Sequence, residues 1–299
     1  MSHPQAPSPA PAAPAATGGY SLVQVASGAW SVRSLAEGET FHPVIGPAAE
    51  AEALYVRQMR IPERAAAVPD EFVVWDVGLG AAANVIAVIR AMDPVAARLR
   101  IESFDHTAEP LRFARAEAAR LGYFGGIEQP VDALLEHRDV SFQHGRCHVR
   151  WRFHQGDFPS WLAGDPAGVA APEAILFDAF SPARNPAMWT LGVFQGLRAR
   201  AGARPVTLAT YSRSTLLRVT LLMAGFFVGV GQATGEKEET TLAASDPSLA
   251  GRLLDAGWLA RAMRSTSAEP LGDPVYRQWP LSEATRDRLQ AHPQFAGPG

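Results

Sequence analysis

Hydrophobic and polar positions switch between two periods along the middle of the chain. Glu71 to Val77 (EFVVWDV) is a short β-branched and aromatic run closed by Gly78, and Ala82 to Met92 then shows helical spacing up to Asp93-Pro94. The alternation continues with a strand over Leu99 to Phe104, an arginine-rich amphipathic helix over Glu109 to Leu121, and strands over Val149 to Phe153 and Ala174 to Phe177. A helix over Met188 to Arg200, a strand over Pro205 to Ala209 and a helix over Ser214 to Ala224 complete the series. Phe226 to Val230 and Thr240 to Ala244 leave no room for a helix between them, so they must pair as an antiparallel hairpin. Strands alternating with helices predict an α/β, doubly wound parallel sheet with right-handed crossovers.

The flanks lack this pattern. From Met1 to Gly19 eleven residues are Pro or Ala and none is Asp, Glu, Lys or Arg, so residues 1–19 are expected to be a disordered tail. Residues 20–70 then form an N-terminal extension, 71–245 the main domain, and 246–299 a C-terminal extension that packs on it and frays from His292. With 299 residues and 47% hydrophobic content, a fibre or a wholly disordered chain is excluded. The single cysteine, Cys147, excludes an internal disulfide framework and suits a reducing cytoplasm. The longest apolar stretches, such as Thr220 to Val230, are about half of what a bilayer span requires, so no membrane is expected. A net charge of -3 provides no global positive field to recruit nucleic acid.

Open parallel sheets bind ligands beyond the carboxyl ends of their strands, and those ends are unusually acidic here. Asp76, Asp105, Asp157 and Asp178 stand at or just after four of them. Gly78 and Gly80 allow a tight turn and close backbone approach, and Asp76 is placed to receive an ammonium group directly or through water. Asp105 is placed to accept two ribose hydroxyls and Asp157 an exocyclic amine. Such a set suits a cationic amino-acid nucleoside, S-adenosyl-L-methionine, better than a phosphate ligand, which would want positive charge. A dinucleotide is the rival, although the third glycine of its fingerprint is missing and Asp105 lies beyond the usual spacing of about 20 residues. The terminal hairpin favours the Rossmann-like sheet of the class I S-adenosylmethionine-dependent methyltransferases over dehydrogenase or flavodoxin-like sheets. His144, Cys147, His148 and His154 crowd together, but one thiolate among unpatterned histidines is a poor zinc signature, so no metal is expected.

Beyond Asp178 the chain runs on as DAFSPARNPAMWT, where Pro182 and Pro186 are expected to hold an extended loop. Phe180 and Asn185 would make it a platform for a planar acceptor. This element, with LATYS at 208–212, GEKEETTLA at 235–243, GETFHPVIGPAAEA at 38–51 and DVGLGAAAN at 76–84, resembles the methyltransferase domain of the MnmC family over roughly residues 27–245. The layout is similar to stand-alone members without the FAD oxidase domain. The resemblance implies methyl transfer from S-adenosyl-L-methionine to the amine of 5-aminomethyl(-2-thio)uridine at the tRNA wobble position, with no flavin bound and a separate flavin oxidoreductase acting upstream. It also implies a catalytic role for Asp178, helped by Tyr211 and His42, a cofactor role for Asn84, and substrate contacts from Phe180, Pro182, Asn185 and Lys237. Pro43, Pro47, Ala82, Asp105 and Glu238 depart from the family pattern. Arg146, Arg150 and Arg152 with Arg112, Arg115 and Arg120 form either a phosphate-tracking patch or an ordinary solvated face. Two other readings stay open: a methyltransferase or aminopropyltransferase-like enzyme on a small amine, and a non-catalytic binding module of the same fold.

Overall fold

The computed structural model describes residues 16–164, 167–233 and 239–296. Strands Ala16–Thr17 (β1), Tyr20–Gln24 (β2) and Trp30–Ser34 (β3) form a small antiparallel sheet. Residues 16 and 17, inside the stretch expected to be a tail, pair with Ser21 and Tyr20. Pairing satisfies their backbone polar groups, which composition alone does not register. Pro47–Ala51 (α1) leads into a π-helical turn over Glu52–Arg57, and Ile61–Ala67 (α2) follows.

The main domain begins with Phe72–Val77 (β4), Ala83–Ala91 (α3) and Arg98–Asp105 (β5), close to the predicted ranges. The helix expected over Glu109 to Leu121 is interrupted at Glu117, whose φ of -100° and ψ of 16° leave the helical basin, giving Glu109–Ala116 (α4) and Ala118–Leu121 (α5). Glu128–His137 (α6) and the hairpin of Asp139–His144 (β6) with Cys147–Gln155 (β7) follow, then Phe158–Ala163 (α7) and Ala174–Phe177 (β8). Leu191–Ala201 (α8) starts later than expected because the Thr190 hydroxyl caps it by accepting from Val193 N–H, while Pro186–Trp189 forms a separate 3-10 turn. Thr207–Thr210 (β9), Thr215–Met223 (α9), Phe227–Gly231 (β10), Thr240–Ala244 (β11), Arg252–Leu253 (β12), Ala256–Ala262 (α10) and Glu283–Gln290 (α11) complete the chain.

The nine-stranded sheet has the order β12-β10-β11-β9-β8-β4-β5-β7-β6. From β9 across to β7 the pairs are parallel, and β11 inserts antiparallel between β9 and β10, with Leu242 opposite Ala209 and Gly229. This is the class I methyltransferase arrangement, with the hairpin where the sequence requires it. All six residues of β4 are buried, as a central strand covered on both faces demands. Their period of two sends Phe72 and Val74 into the core under α3 and α4, and Val73, Trp75 and Val77 into the opposite core under α8 and α9. Asp76 therefore faces the first of these layers. The expected fraying after His292 is not seen up to Ala296: the Gln294 carboxamide accepts from Val228 N–H at 2.7 Å and donates to the Val228 and Leu254 carbonyls at 2.9 and 3.0 Å. It completes the open edge of the hairpin.

Candidate active site

A cavity of about 680 Å³ opens at the carboxyl ends of β4, β5 and β8, roofed by the segment from Tyr20 to Leu54. Strand β4 ends in a turn whose geometry only glycine tolerates. Gly78 has φ +97°, and a Cβ there would stand 2.7 Å from the Asp178 carbonyl oxygen, because the two strand ends pass against each other. Gly80 has φ +50° and lies against the Phe41 ring, so the turn is pressed from both sides. Tyr123 donates to the Ala81 carbonyl at 2.7 Å and fixes the turn from below.

The four strand-end acids are placed differently from one another. Asp105 accepts from Gly80 N–H at 3.0 Å and Thr107 N–H at 3.3 Å, with His106 Nδ1 3.0 Å away, and its carboxylate lines the cavity. The hydrogen bond that His106 donates to the Asp105 carboxylate is the main reason its pKa is raised. Asp157 also lines the cavity, but one of its oxygens is committed to Ser160 N–H at 3.0 Å as the cap of α7. Asp76 does not reach the cavity wall. It is 0% exposed, accepts from Ser103 Oγ at 2.8 Å through Oδ2, and keeps Oδ1 buried with no partner among the described residues. Burial pushes its carboxyl up to about 8, with the charges of Asp178 and Asp105 adding and the Ser103 hydrogen bond opposing.

Asp178 lies on the cavity floor with its carboxylate accepting from Asn84 Nδ2 at 2.7 Å. His42 Nε2 stands 3.7 Å from the same oxygen, and His42 Nδ1 is 3.8 Å from Glu50 Oε2, so the imidazole sits between two carboxylates. His42 holds a φ of 48°, unusual for a residue with a side chain. Tyr211 lines the cavity and donates to the Ala179 carbonyl at 3.0 Å, while burial drives its phenol pKa well above the usual range. It is a braced, neutral wall residue.

The acceptor loop differs from expectation. Arg184 and Asn185 N–H both bond to the Ser181 carbonyl at 2.9 Å, so Pro182 sits in a turn and Pro186 opens a 3-10 turn. Fixed proline φ favours these turns as readily as extension. Phe180 and Asn185 line the cavity, Pro182 does not, and Lys237 lies outside the described residues. Phe180 packs on Phe41 with ring centroids 5.6 Å apart. Met188 is buried and also reaches the cavity.

Residues that strand-end reasoning misses come from the N-terminal segment. Glu39 accepts from Ser181 Oγ at 2.5 Å and ties this segment to the acceptor loop, and Arg33 and Arg184 bring the two guanidinium groups on the cavity wall. Glu39, Phe41 and Glu50 lie within the GETFHPVIGPAAEA stretch, so its resemblance was the signal available. Among the described residues six carboxylates line the cavity against these two guanidinium groups, an excess that suits a cation. Away from the cavity, Arg150 and Arg152 pair with Asp139 at 2.8 and 3.3 Å, and Arg115 pairs with Asp132 at 2.7 Å, which neutralises much of the supposed phosphate patch. His154 instead meets the buried Glu102 at 2.5 Å, and no group of three or more metal-ligating side chains occurs among the described residues.

Residues 133–246 match the family described as S-adenosyl-L-methionine-dependent methyltransferase. The tRNA 5-methylaminomethyl-2-thiouridine biosynthesis bifunctional protein MnmC of Methylibium petroleiphilum is 31% identical over 245 residues, 79% of this chain and 36% of that protein. Its counterpart from Aeromonas hydrophila is 33% identical over 204 residues, 64% of this chain and 30% of its own. The chain thus spans about a third of the length of the curated relatives it matches. The crystal structure of MnmC2 from Aquifex aeolicus superposes with a TM-score of 0.65 at 24% identity, covering 92% of this chain and 85% of the other, which establishes the fold. With the sheet order and the acidic strand-end cavity, these likenesses show the class I methyltransferase fold, and the chain resembles the bifunctional MnmC proteins over the part of them that it matches.

Proposed function

We propose that the protein methylates the amine of 5-aminomethyl(-2-thio)uridine at the wobble position of tRNA, a separate oxidoreductase having exposed that primary amine. The observation that carries the reading is Asp178: a carboxylate on the cavity floor, held by Asn84 at 2.7 Å, directly before the loop that supplies Phe180 and Asn185. The likeness to the tRNA 5-methylaminomethyl-2-thiouridine biosynthesis proteins supports the substrate.

The residues present fit the cofactor. The acidic wall suits a cation, Asp105 keeps lone pairs for ribose hydroxyls after its two backbone bonds, and the orphaned Oδ1 of Asp76 lies behind the Gly78 turn. S-adenosyl-L-methionine held there would supply an electrophilic methyl group, with a neutral thioether as the leaving group. Asp178 has two tasks: to orient the incoming amine and to accept the proton that the nitrogen loses as it forms its bond to carbon. Phe41 and Phe180 offer the aromatic surface on which a planar base can stack. His42, between Asp178 and Glu50, gives that proton an onward route.

The test is single-turnover methylation of undermodified tRNA by the parent and by Asp178→Asn, alongside a cofactor titration. The rate should fall by a factor of about 10² to 10⁴ while cofactor affinity changes far less. A preserved rate with collapsed affinity would make Asp178 a cofactor ligand only. Methylation of a small polyamine but not of tRNA would select the small-amine reading.

A further inference from the structure

The charges on the cavity wall are sorted by place. Asp105, Asp157 and Asp178 stand at the strand ends, whereas both guanidinium groups belong to one junction between the roof and the acceptor loop. Arg33 lies on β3 opposite Thr40, and its Nη1 donates to the Thr40 hydroxyl at 3.1 Å. Arg184 sits in the turn closed by the Ser181 carbonyl, with its Nη2 3.9 Å from where a Cβ of Gly38 would stand, two residues before Thr40. Glu39, between these two contacts, laces the corner together by accepting from Ser181 N–H at 3.3 Å and Ser181 Oγ at 2.5 Å.

Both guanidinium groups keep donors to spare. Neither forms an ion pair among the described residues, in contrast to Arg115, Arg150 and Arg152. Glu39 is committed to Ser181, and Glu37 on the same turn lines the wall without pairing with either arginine. Arg33 uses one N–H on Thr40 and keeps the rest of its fork. Arg184 is exposed and still lines the cavity, which puts it at the mouth. Such a fork matches a phosphate, to which it donates two parallel bonds. Phe41 directly follows Thr40 and Phe180 directly precedes Ser181, so the corner also carries the aromatic pair at 5.6 Å. Guanidinium groups beside stacking rings are what hold a single nucleic-acid strand.

We infer that Arg33 and Arg184 form a phosphate site at the cavity mouth, which grips a phosphodiester of an RNA strand beside the nucleoside that enters the cavity. The inference deepens the proposed function and rests on it for the identity of that nucleoside. It also says how a chain with a net charge of -3 takes a polyanion: the acidic floor meets the cationic cofactor and the amine, and two arginines at the mouth meet the backbone. A free small amine carries no phosphate, so the same two residues discriminate against it. The arginines that the sequence offered for phosphate tracking are instead spent on Asp132 and Asp139.

The test uses the full chain and a fluorescein-labelled RNA stem-loop with 5-aminomethyluridine in its loop. Binding is read by anisotropy over a range of salt, with S-adenosyl-L-homocysteine present to prevent turnover. Arg33→Gln and Arg184→Gln should each weaken binding about tenfold, and each should reduce the salt slope by about 0.7, the value of one phosphate contact on a single strand. Arg115→Gln, which breaks the pair with Asp132 away from the cavity, should change neither quantity. In steady-state methylation the loss should fall on KM for the stem-loop and be about tenfold smaller for the free nucleoside, which has no phosphate. An unchanged affinity or slope in either variant overturns the inference, as does a parent that binds no RNA. An equal loss on nucleoside and stem-loop means a distorted cavity, and a collapse of S-adenosyl-L-homocysteine binding means a cofactor carboxylate site; both overturn it. If the parent binds the RNA without methylating it, the proposed function falls, and the salt slopes still decide the role of the arginines.

Discussion

Replacing Asp76 by asparagine should make the protein more stable at alkaline pH, and the size of the effect follows from the burial of the carboxyl. Its pKa is pushed up to about 8 in the folded protein, chiefly by loss of water, whereas in the unfolded chain it titrates near ~3.9. Between those values the folded protein holds a proton that the unfolded chain has already released. The penalty on folding is therefore absent below the unfolded value, grows by about 1.4 kcal/mol per pH unit as pH rises, and is complete above pH 8, at a total on the order of 5 kcal/mol. Asp76→Asn cannot titrate and so escapes this penalty. The amide keeps one acceptor for Ser103 Oγ, and any misfit of its N–H groups is a pH-independent offset. Urea unfolding of both proteins from pH 5 to 9 at fixed ionic strength isolates the titration. The difference in unfolding free energy, variant minus parent, should climb by roughly 1.4 kcal/mol per unit to about pH 8 and then level off. A flat difference across that window would show that Asp76 is ionised in the folded protein, and the burial argument would fail.

Two further outcomes follow from the cavity. Asp105→Ala should weaken S-adenosyl-L-methionine binding by a factor of ten or more, since losing charge-assisted hydrogen bonds costs about 1.5 to 3 kcal/mol, and calorimetry with equal affinities in variant and parent would refute that role. Gly78→Ala should cost about 2 to 4 kcal/mol in urea unfolding, combining left-handed strain with a Cβ 2.7 Å from the Asp178 carbonyl, whereas Gly122→Ala, with φ +71° and nothing within 4 Å, should cost only about 1 kcal/mol.

The chain by itself determined the sheet and its ligand end. The buried run Phe72 to Val77, the glycine turn after it and the hairpin of β10 with β11 are local patterns, since periodicity and loop length leave one way to bury those faces. The acids at the strand ends were legible for the same reason: a strand in a parallel sheet has a known ligand side. Which of those acids meets the cavity was not legible. Asp76 and Asp105 look alike as strand-end carboxylates, yet period-two alternation turns Asp76 under α3 while Gly80 holds Asp105 at the wall. The roof was legible only through resemblance, because Glu39, Phe41, His42 and Glu50 are far from β4 in sequence and carry no periodic signal. The surroundings of Tyr55 could not be read from sequence at all: one tyrosine in an apolar helix has the pattern of ordinary core. Only tertiary packing buries its hydroxyl with no hydrogen-bond partner among the described residues, because the environment of a buried polar group is set by contacts across the whole chain.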